Sequence, residues 1–333
     1  MHDDVEVRAY RPGDEQRILD TFNVVFRREC GPGFVDRTLA FWTWQFLGNP
    51  EGHRITLAVA RDGTVLAQFA GVPMLADTPL GPQRFVHVVD SMAHPAFRRG
   101  GAPFLRAARG FHAECEARVE ALCFGYPVQA AQTMGERVLG YESLRSIDYL
   151  VRGDVPPPEL PHGCAAVRVD AIPADVDGLW AAVWSPQTSA VRRDRRYLRW
   201  RYDEHPDPGR YERWIVRKGE RLAGLAVLAL RQELLPSAVA IAEWLVADDE
   251  PQVAQALLAK MVRRQRELGR QRLFTVLAPW SSAFRVLLAH GFARTPSAQW
   301  LGRELVVHRH LAALTRERLL DGFWYTLGDT DLV

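Results

Sequence analysis

The stretch Arg98-Arg99-Gly100-Gly101-Ala102-Pro103 holds the residues best suited to chemistry in this chain of 333 residues. Two guanidinium groups can each make charge-assisted hydrogen bonds to an anion. Two glycines let the backbone come close to a ligand. The residues that follow open a helix, whose first N–H groups lack intrahelical partners and whose end carries a partial positive charge. Cations, glycines and a helix start together make an anion site, and a phosphate suits it. Just upstream stand two groups able to move protons, His87 and Asp90. Strand alternation puts Asp90 on one face with Met92 and puts His87 on the opposite face. A carboxylate there could take a proton directly or through water.

The flanking elements explain how these residues are held. Phe85, Val86, Val88 and Val89 are apolar and mostly β-favouring, and no breaker comes before Pro95, so a strand delivers Asp90. Phe104, Ala108, Phe111 and Cys115 fall at i, i+4, i+7 and i+11, one apolar stripe along a helix. Pro103 suits a first helical turn, where its missing N–H has no intrahelical use.

This strand, bend and helix resemble the acetyl-CoA-binding segment of the GNAT superfamily of N-acetyltransferases. That segment is a strand, often ending in His-Pro, followed by Arg/Gln-x-x-Gly-x-Gly/Ala at a helix start. Here His94-Pro95 precedes Arg98, and Gly101 takes the first glycine position. Pro103 stands at the last position, a departure that removes one N–H from the phosphate cradle. The resemblance implies acetyl-CoA as co-substrate and a primary amine of a small molecule as acceptor. It implies that backbone near Met92 and Ala93 holds the pantetheine. Arg98, Arg99, Gly100, Gly101, Ala102 and Pro103 would cradle the pyrophosphate. Asp90 is the expected general base. Many members place a tyrosine four residues before a Gly-Phe pair, as the acid for the departing thiolate. Here that pair is Gly140-Tyr141 and the position holds Glu136, so Tyr126 is the expected substitute.

Composition narrows the classes. At 47% hydrophobic and 25% charged residues, the chain reads as a soluble globular protein. A net charge of +2 gives no strong field for nucleic acid or membrane, so neither is an expected partner. The start, MHDDVEVRAY, has no apolar leader, and no run of about 18 apolar residues occurs. Cys30, Cys115, Cys123 and Cys164 are scattered without a CxxC, which fits reduced thiols in the cytoplasm. No metal is expected, and the chain should be a monomer or homodimer.

The pattern then repeats. Phe41 to Pro50 (FWTWQFLGNP) is echoed by Tyr197 to Pro206 (YLRWRYDEHP), and Trp44 and Trp200 are 200 − 44 = 156 apart. Gly63 and Gly219 keep the same offset, 219 − 63 = 156. Two copies of one fold are expected. The fold class is α+β, with two GNAT folds in tandem, each a mixed, mostly antiparallel sheet flanked by helices. Residues 1–152 form the coenzyme-binding copy, 153–164 a Pro-rich linker, and 165–333 a degenerate copy. In the second copy Asp248, Asp249 and Glu250 replace the basic bend, where they would repel a pyrophosphate. A single strand region is expected from Tyr141 to Val151. Arg192 to Arg196 is read as a solvated helix start. Asp329 and Asp331 are read as surface carboxylates on a frayed tail, with capture of a cationic amine as the alternative. Phe41, Trp42, Trp44 and Phe46 are read as helix packing, or else as an acceptor wall. Beside the acetyltransferase stand two other classes: an acyl-CoA-binding sensor without activity, and an aminoacyl transferase of the tandem-GNAT peptidoglycan type that uses aminoacyl-tRNA.

Overall fold

Apolar strands joined by short polar turns dominate both halves of the chain, and each half lays them down in a similar order, the second with a short strand (Ser189–Val191) and a closing helix and strand added. The computed structural model describes residues 5–97, 101–232, 234–235, 237–300 and 302–333. The first half runs β1 (Val5–Ala9), α1 (Glu15–Cys30), α2 (Leu39–Trp42) with a π-helical turn (Thr43–Leu47), β2 (Arg54–Ala60), β3 (Val65–Asp77), β4 (Gln83–Ala93), α3 (Ala102–Ala117), β5 (Leu122–Gly125), α4 (Gln129–Val138), β6 (Glu142–Ser146) and β7 (Tyr149–Arg152). The second half runs β8 (Ala166–Val169), α5 (Val176–Val183), β9 (Ser189–Val191), α6 (Arg195–Leu198) with a π-helical turn (Arg199–Asp203), β10 (Tyr211–Lys218), β11 (Arg221–Ala229) and β12 (Ala238–Val246). It continues through α7 (Pro251–Glu267), β13 (Arg272–Thr275), α8 (Ser282–Ala289), β14 (Ala293–Thr295) and β15 (Glu304–Arg309), and closes with α9 (Arg316–Gly322) and β16 (Phe323–Trp324). Among the described residues, no helix is long and apolar enough to cross a membrane.

The repeat reaches the level of single caps. Thr38 accepts from the Phe41 N–H at the start of α2, and Asp194 accepts from the Tyr197 N–H at the start of α6. The two cap residues are 194 − 38 = 156 apart. Each side-chain oxygen satisfies an otherwise orphaned helix donor.

Two sheets result. The first has the order β1-β2-β3-β4-β5-β15-β6, with β9 added beside β3 and β16 beside β9. The second has the order β14-β7-β13-β12-β11-β10-β8. Each path is antiparallel except for one central parallel pair, β4–β5 and β12–β13. The two halves exchange a strand. β7 lies between β13 and β14, with Leu273 opposite Arg152 and Ala293 opposite Val151. β15 lies between β5 and β6, with Val307 opposite both Phe124 and Glu142.

The strand region expected over Tyr141 to Val151 is therefore two strands in different sheets. The chain crosses between them at Ile147-Asp148, and Ile147 is fully buried there. The linker expected at 153–164 separates the repeats in sequence, yet hydrogen-bonded ladders cross it in both directions. It is also tied down: Arg152 donates to the Val155 carbonyl at 2.8 Å and to the His290 carbonyl at 3.0 Å.

One core runs through both halves and includes Trp44, Phe85, Val89, Met92, Trp200 and Leu225. On the other face of the first sheet, Ala108, Phe111 and Cys115 of α3 pack on Phe69, Val86 and Cys123. The arginine run is not wholly solvated. Arg195 and Arg196 are exposed, but Arg193 is 0% exposed and bonds Glu243 at 3.1 Å, Thr326 at 3.1 Å and Asp329. The tail is not frayed either. Asp329 is buried, and its carboxylate accepts from the Thr326 N–H at 2.8 Å in a capping box.

Candidate active site

The parallel pair β4–β5 begins regularly, with Phe85 opposite Leu122, Val86 opposite Cys123 and His87 opposite Phe124, and then stops. The cause lies one residue pair further on. β3 pairs Ala70 with Val89 and Gln68 with Met92, so Asp90 and Ser91 together face the single residue Phe69. This is a β-bulge, which bends the strand and strengthens its twist. Asp90 carries it at φ 54°, a left-handed conformation that is costly for a residue with a side chain. Beyond the bulge β4 leaves β5, and a cavity of about 210 Å³ opens between them. Its walls include Val88, Asp90, Ser91, Gly125, Tyr126 and Met134. Gly125 sits where the strands part; a Cβ there would lie 3.3 Å from the Val88 carbonyl oxygen.

The start of α3 borders this cavity through Phe104. Gly101 caps it at φ 61°, and its carbonyl accepts the Leu105 N–H at 3.0 Å. Ala102 and Pro103 form the first turn. Arg98, Arg99 and Gly100 lie outside the described residues. Met92 buries its side chain in the core, Ala93 ends β4, and neither is among the residues lining the cavity.

The bulge overturns the expected facing of His87. With alternation interrupted, His87 lies on the same side of the sheet as Val89 and Met92, and feels the charge of Asp90. It stacks on Phe124 with ring centroids 5.0 Å apart. Burial pushes its imidazole down to about 4, so it is neutral at pH 7. Asp90 accepts from Gln45 at 3.0 Å and pairs with Arg37. Tyr126 is 5% exposed, and its hydroxyl has no partner among the described residues. Burial pushes the phenol well above its ordinary range, so it keeps its proton.

A second cavity of about 70 Å³ adjoins the first, with Arg37, Trp44, Gln45, His87 and Tyr197 in its wall. Val89 and Asp331 line both. Asp331 is exposed at the wall of these cavities. Burial raises its carboxyl pKa against the pull of Arg303, Arg37 and Arg201. Asp331 is the group that pattern reading underrates, because nothing local places a tail carboxylate beside two cavities. Glu136, at the position where the resemblance leads one to expect a tyrosine, is exposed and bonds Gln132 and Ser143. Trp42 and Phe46 pack in the core, while Phe41 and Trp44 line the second cavity.

The second half treats the same place differently. β12 and β13 pair only as far as Ala240 and Phe274. Beyond that point the chain's own tail fills in. Leu277 pairs with Thr326, and the Ala278 N–H donates to the Tyr325 carbonyl at 3.2 Å. A Cβ on Gly328 would meet the Ala242 carbonyl oxygen at 2.9 Å. The acidic turn is engaged too: Glu250 pairs with Lys218 and Arg221, and Asp248 accepts from Ser282.

Solved structures share the fold. A conserved protein of unknown function from Enterococcus faecalis, described as a probable N-acyltransferase, aligns with a TM-score of 0.67 over 93% of this chain and 74% of its own, at 12% identity. A GCN5-related N-acetyltransferase from Anabaena variabilis aligns with a TM-score of 0.66 over 92% and 73%, also at 12% identity. The N-myristoyltransferase of Saccharomyces cerevisiae, solved with myristoyl-CoA, gives 0.61 over 93% and 80% at 10% identity. No family profile matches the sequence, and no curated protein does. The fold is that of the GCN5-related N-acetyltransferases, with two mixed sheets flanked by helices.

Proposed function

We propose that the chain is an N-acyltransferase that moves the acetyl group of acetyl-CoA to a primary amine of a small molecule. The observation that carries this reading is the parted β4–β5 pair, with Tyr126 and Asp90 in the wall of the cavity it opens. The tandem-GNAT description fits the repeated element order, with the first copy binding coenzyme and the second serving as framework.

Pantetheine would lie along β4 near Met92 and Ala93, with the pyrophosphate at the start of α3 over Arg98 to Pro103. Tyr126, a phenol that stays protonated, would supply the proton that the departing thiolate needs. The acceptor would enter through the second cavity, against Trp44 and the neutral His87. Asp331, a carboxylate of raised proton affinity between the two cavities, is suited to take the amine's proton. Asp90, held by Arg37 and Gln45, would orient the ammonium or share the base's task.

Calorimetry with acetyl-CoA should give one site per chain, because the tail occupies the equivalent space in the second half. Thiol release across a panel of amines should be fast for at least one of them. Tyr126→Phe should lower that turnover roughly 100-fold or more with coenzyme affinity retained. Arg98→Ala should weaken acetyl-CoA roughly 10- to 100-fold and spare a pantetheine fragment. Two sites per chain, or no binding, would overturn the reading. Binding without release for any amine would favour a sensor.

A further inference from the structure

Three histidines and a cysteine, none of which lines either cavity, meet on the face of the first sheet that α3 covers. His112 comes from α3, Cys123 from β5, His308 from β15, and His310 from the bend that follows the strand's last residue, Arg309. The His308 and His310 rings lie together, with centroids 4.8 Å apart. The ladder sets His308 directly opposite Cys123. The ligand atoms of His112, Cys123 and His310 all lie within 4.8 Å of one another. Cys123 Sγ and His310 Nε2 are 3.5 Å apart. Zinc bonds of about 2.3 Å to sulfur and 2.0–2.1 Å to nitrogen, at a tetrahedral angle, place the two ligand atoms about 3.5 Å apart. The His308 ring centroid is 4.2 Å from that of His112 and 4.8 Å from that of His310, within reach of the fourth corner.

The surroundings prepare these groups as ligands. His112 Nε2 lies 3.2 Å from the Tyr141 hydroxyl, while its Nδ1 is buried with no partner among the described residues. A ring held at one nitrogen and free at the other is how a ligating histidine is oriented. A divalent ion would displace the Cys123 thiol proton to solvent and take the thiolate as ligand.

We propose that His112, Cys123 and His310, completed by His308, bind one zinc-like divalent ion that pins the exchanged strand β15 to the first half. Thiolate and imidazole donors in a closed set of four suit a structural tetrahedral site. The ion would link α3 and β5 to a strand that arrives 187 residues after Cys123.

The test uses the full chain, stripped with a chelator and titrated with Co²⁺ alone. The expected result is one Co²⁺ per chain, with the thiolate-to-cobalt charge-transfer band and the intense visible bands of tetrahedral cobalt. Zn²⁺ should bleach both and raise the melting temperature. His310→Gln, at a half-buried position, should keep the circular dichroism of the parent and weaken Co²⁺ by roughly tenfold or more. Cys123→Ser should abolish the charge-transfer band. A parent chain without that band overturns the proposal even if a variant misfolds. So does Co²⁺ binding that His310→Gln leaves unchanged.

Discussion

Trp44 and Trp200 exchange hydrogen bonds: each indole N–H donates to the other residue's backbone carbonyl, at 2.8 and 2.9 Å. Their rings stack with centroids 5.3 Å apart and planes 17° from parallel. The two residues hold the same place in their halves, so the contact is self-complementary, as in a two-fold dimer interface. Both rings are nearly buried, which makes this pair a main tie between the halves. Trp200→Ala removes a packed aromatic and should cost about 3–5 kcal/mol in denaturant unfolding. Trp200→Phe keeps most of the packing but strands the Trp44 carbonyl, and should cost about 1–3 kcal/mol. A loss below the Phe value in the Ala variant would show that the stack matters little.

Strand exchange bears on whether either half can fold alone. A fragment of residues 1–152 lacks β15, which pairs with both β5 and β6, and carries β7 with no sheet to join. Both fragments would expose unpaired strand edges, which promotes aggregation. Expressed alone, residues 1–158 and 159–333 should each be insoluble or lack dispersed amide signals. Produced together, they should co-elute as one folded complex. A well-folded fragment 1–158 would contradict this.

How much of this could be read from the residues alone depends on range. The strand up to Asp90 and the helix from Ala102 were legible because alternation and an i, i+4 stripe are local signals. The repeat was legible because Trp44 and Trp200, and Gly63 and Gly219, keep one offset. Exchange of β7 and β15 was not legible, since an apolar strand shows its faces but not its neighbour. The bulge at Asp90 was missed because a residue with a side chain at positive φ leaves no compositional mark. That omission turned His87 to the wrong face. Burial of Asp329 was hidden because it looks solvated until Arg193, 136 residues before it, is brought against it.

Arg193 anchors that tail from the interior. It is wholly buried, as is Glu243, and Asp329 is 2% exposed. Removing one member of such a set leaves an uncompensated buried charge. Arg193→Met should therefore cost about 3–5 kcal/mol, most of it recovered when Glu243→Gln and Asp329→Asn are added. Because the tail carries Asp331 into both cavities, Arg193→Met should also lower turnover in the fraction that still folds. Equal stability of Arg193→Met and the parent at pH 7 would mean that the triad is solvated.

The last prediction separates stability from activity at Asp331. Burial raises its carboxyl pKa in the folded chain, although Arg303, Arg37 and Arg201 pull the other way. Between the ordinary carboxylate value near 3.9 and the raised one, the folded chain holds a proton that the unfolded chain has lost. Stability from this group is therefore full below that window and is lost as pH rises through it. Asparagine has no such dependence, so Asp331→Asn should be more stable than the parent at pH 7, with the difference vanishing near pH 3 to 4. Activity should move the opposite way. If Asp331 takes the amine's proton, kcat/KM should rise with pH through the raised carboxyl pKa, and Asp331→Asn should lose turnover and flatten that limb. Denaturant unfolding and a pH–rate profile on the same two proteins read both effects. A variant that gains stability at pH 7 yet keeps full turnover would return the base's role to Asp90. A variant less stable than the parent at pH 7 would show that the carboxylate is well solvated and that its place between the cavities confers no raised proton affinity.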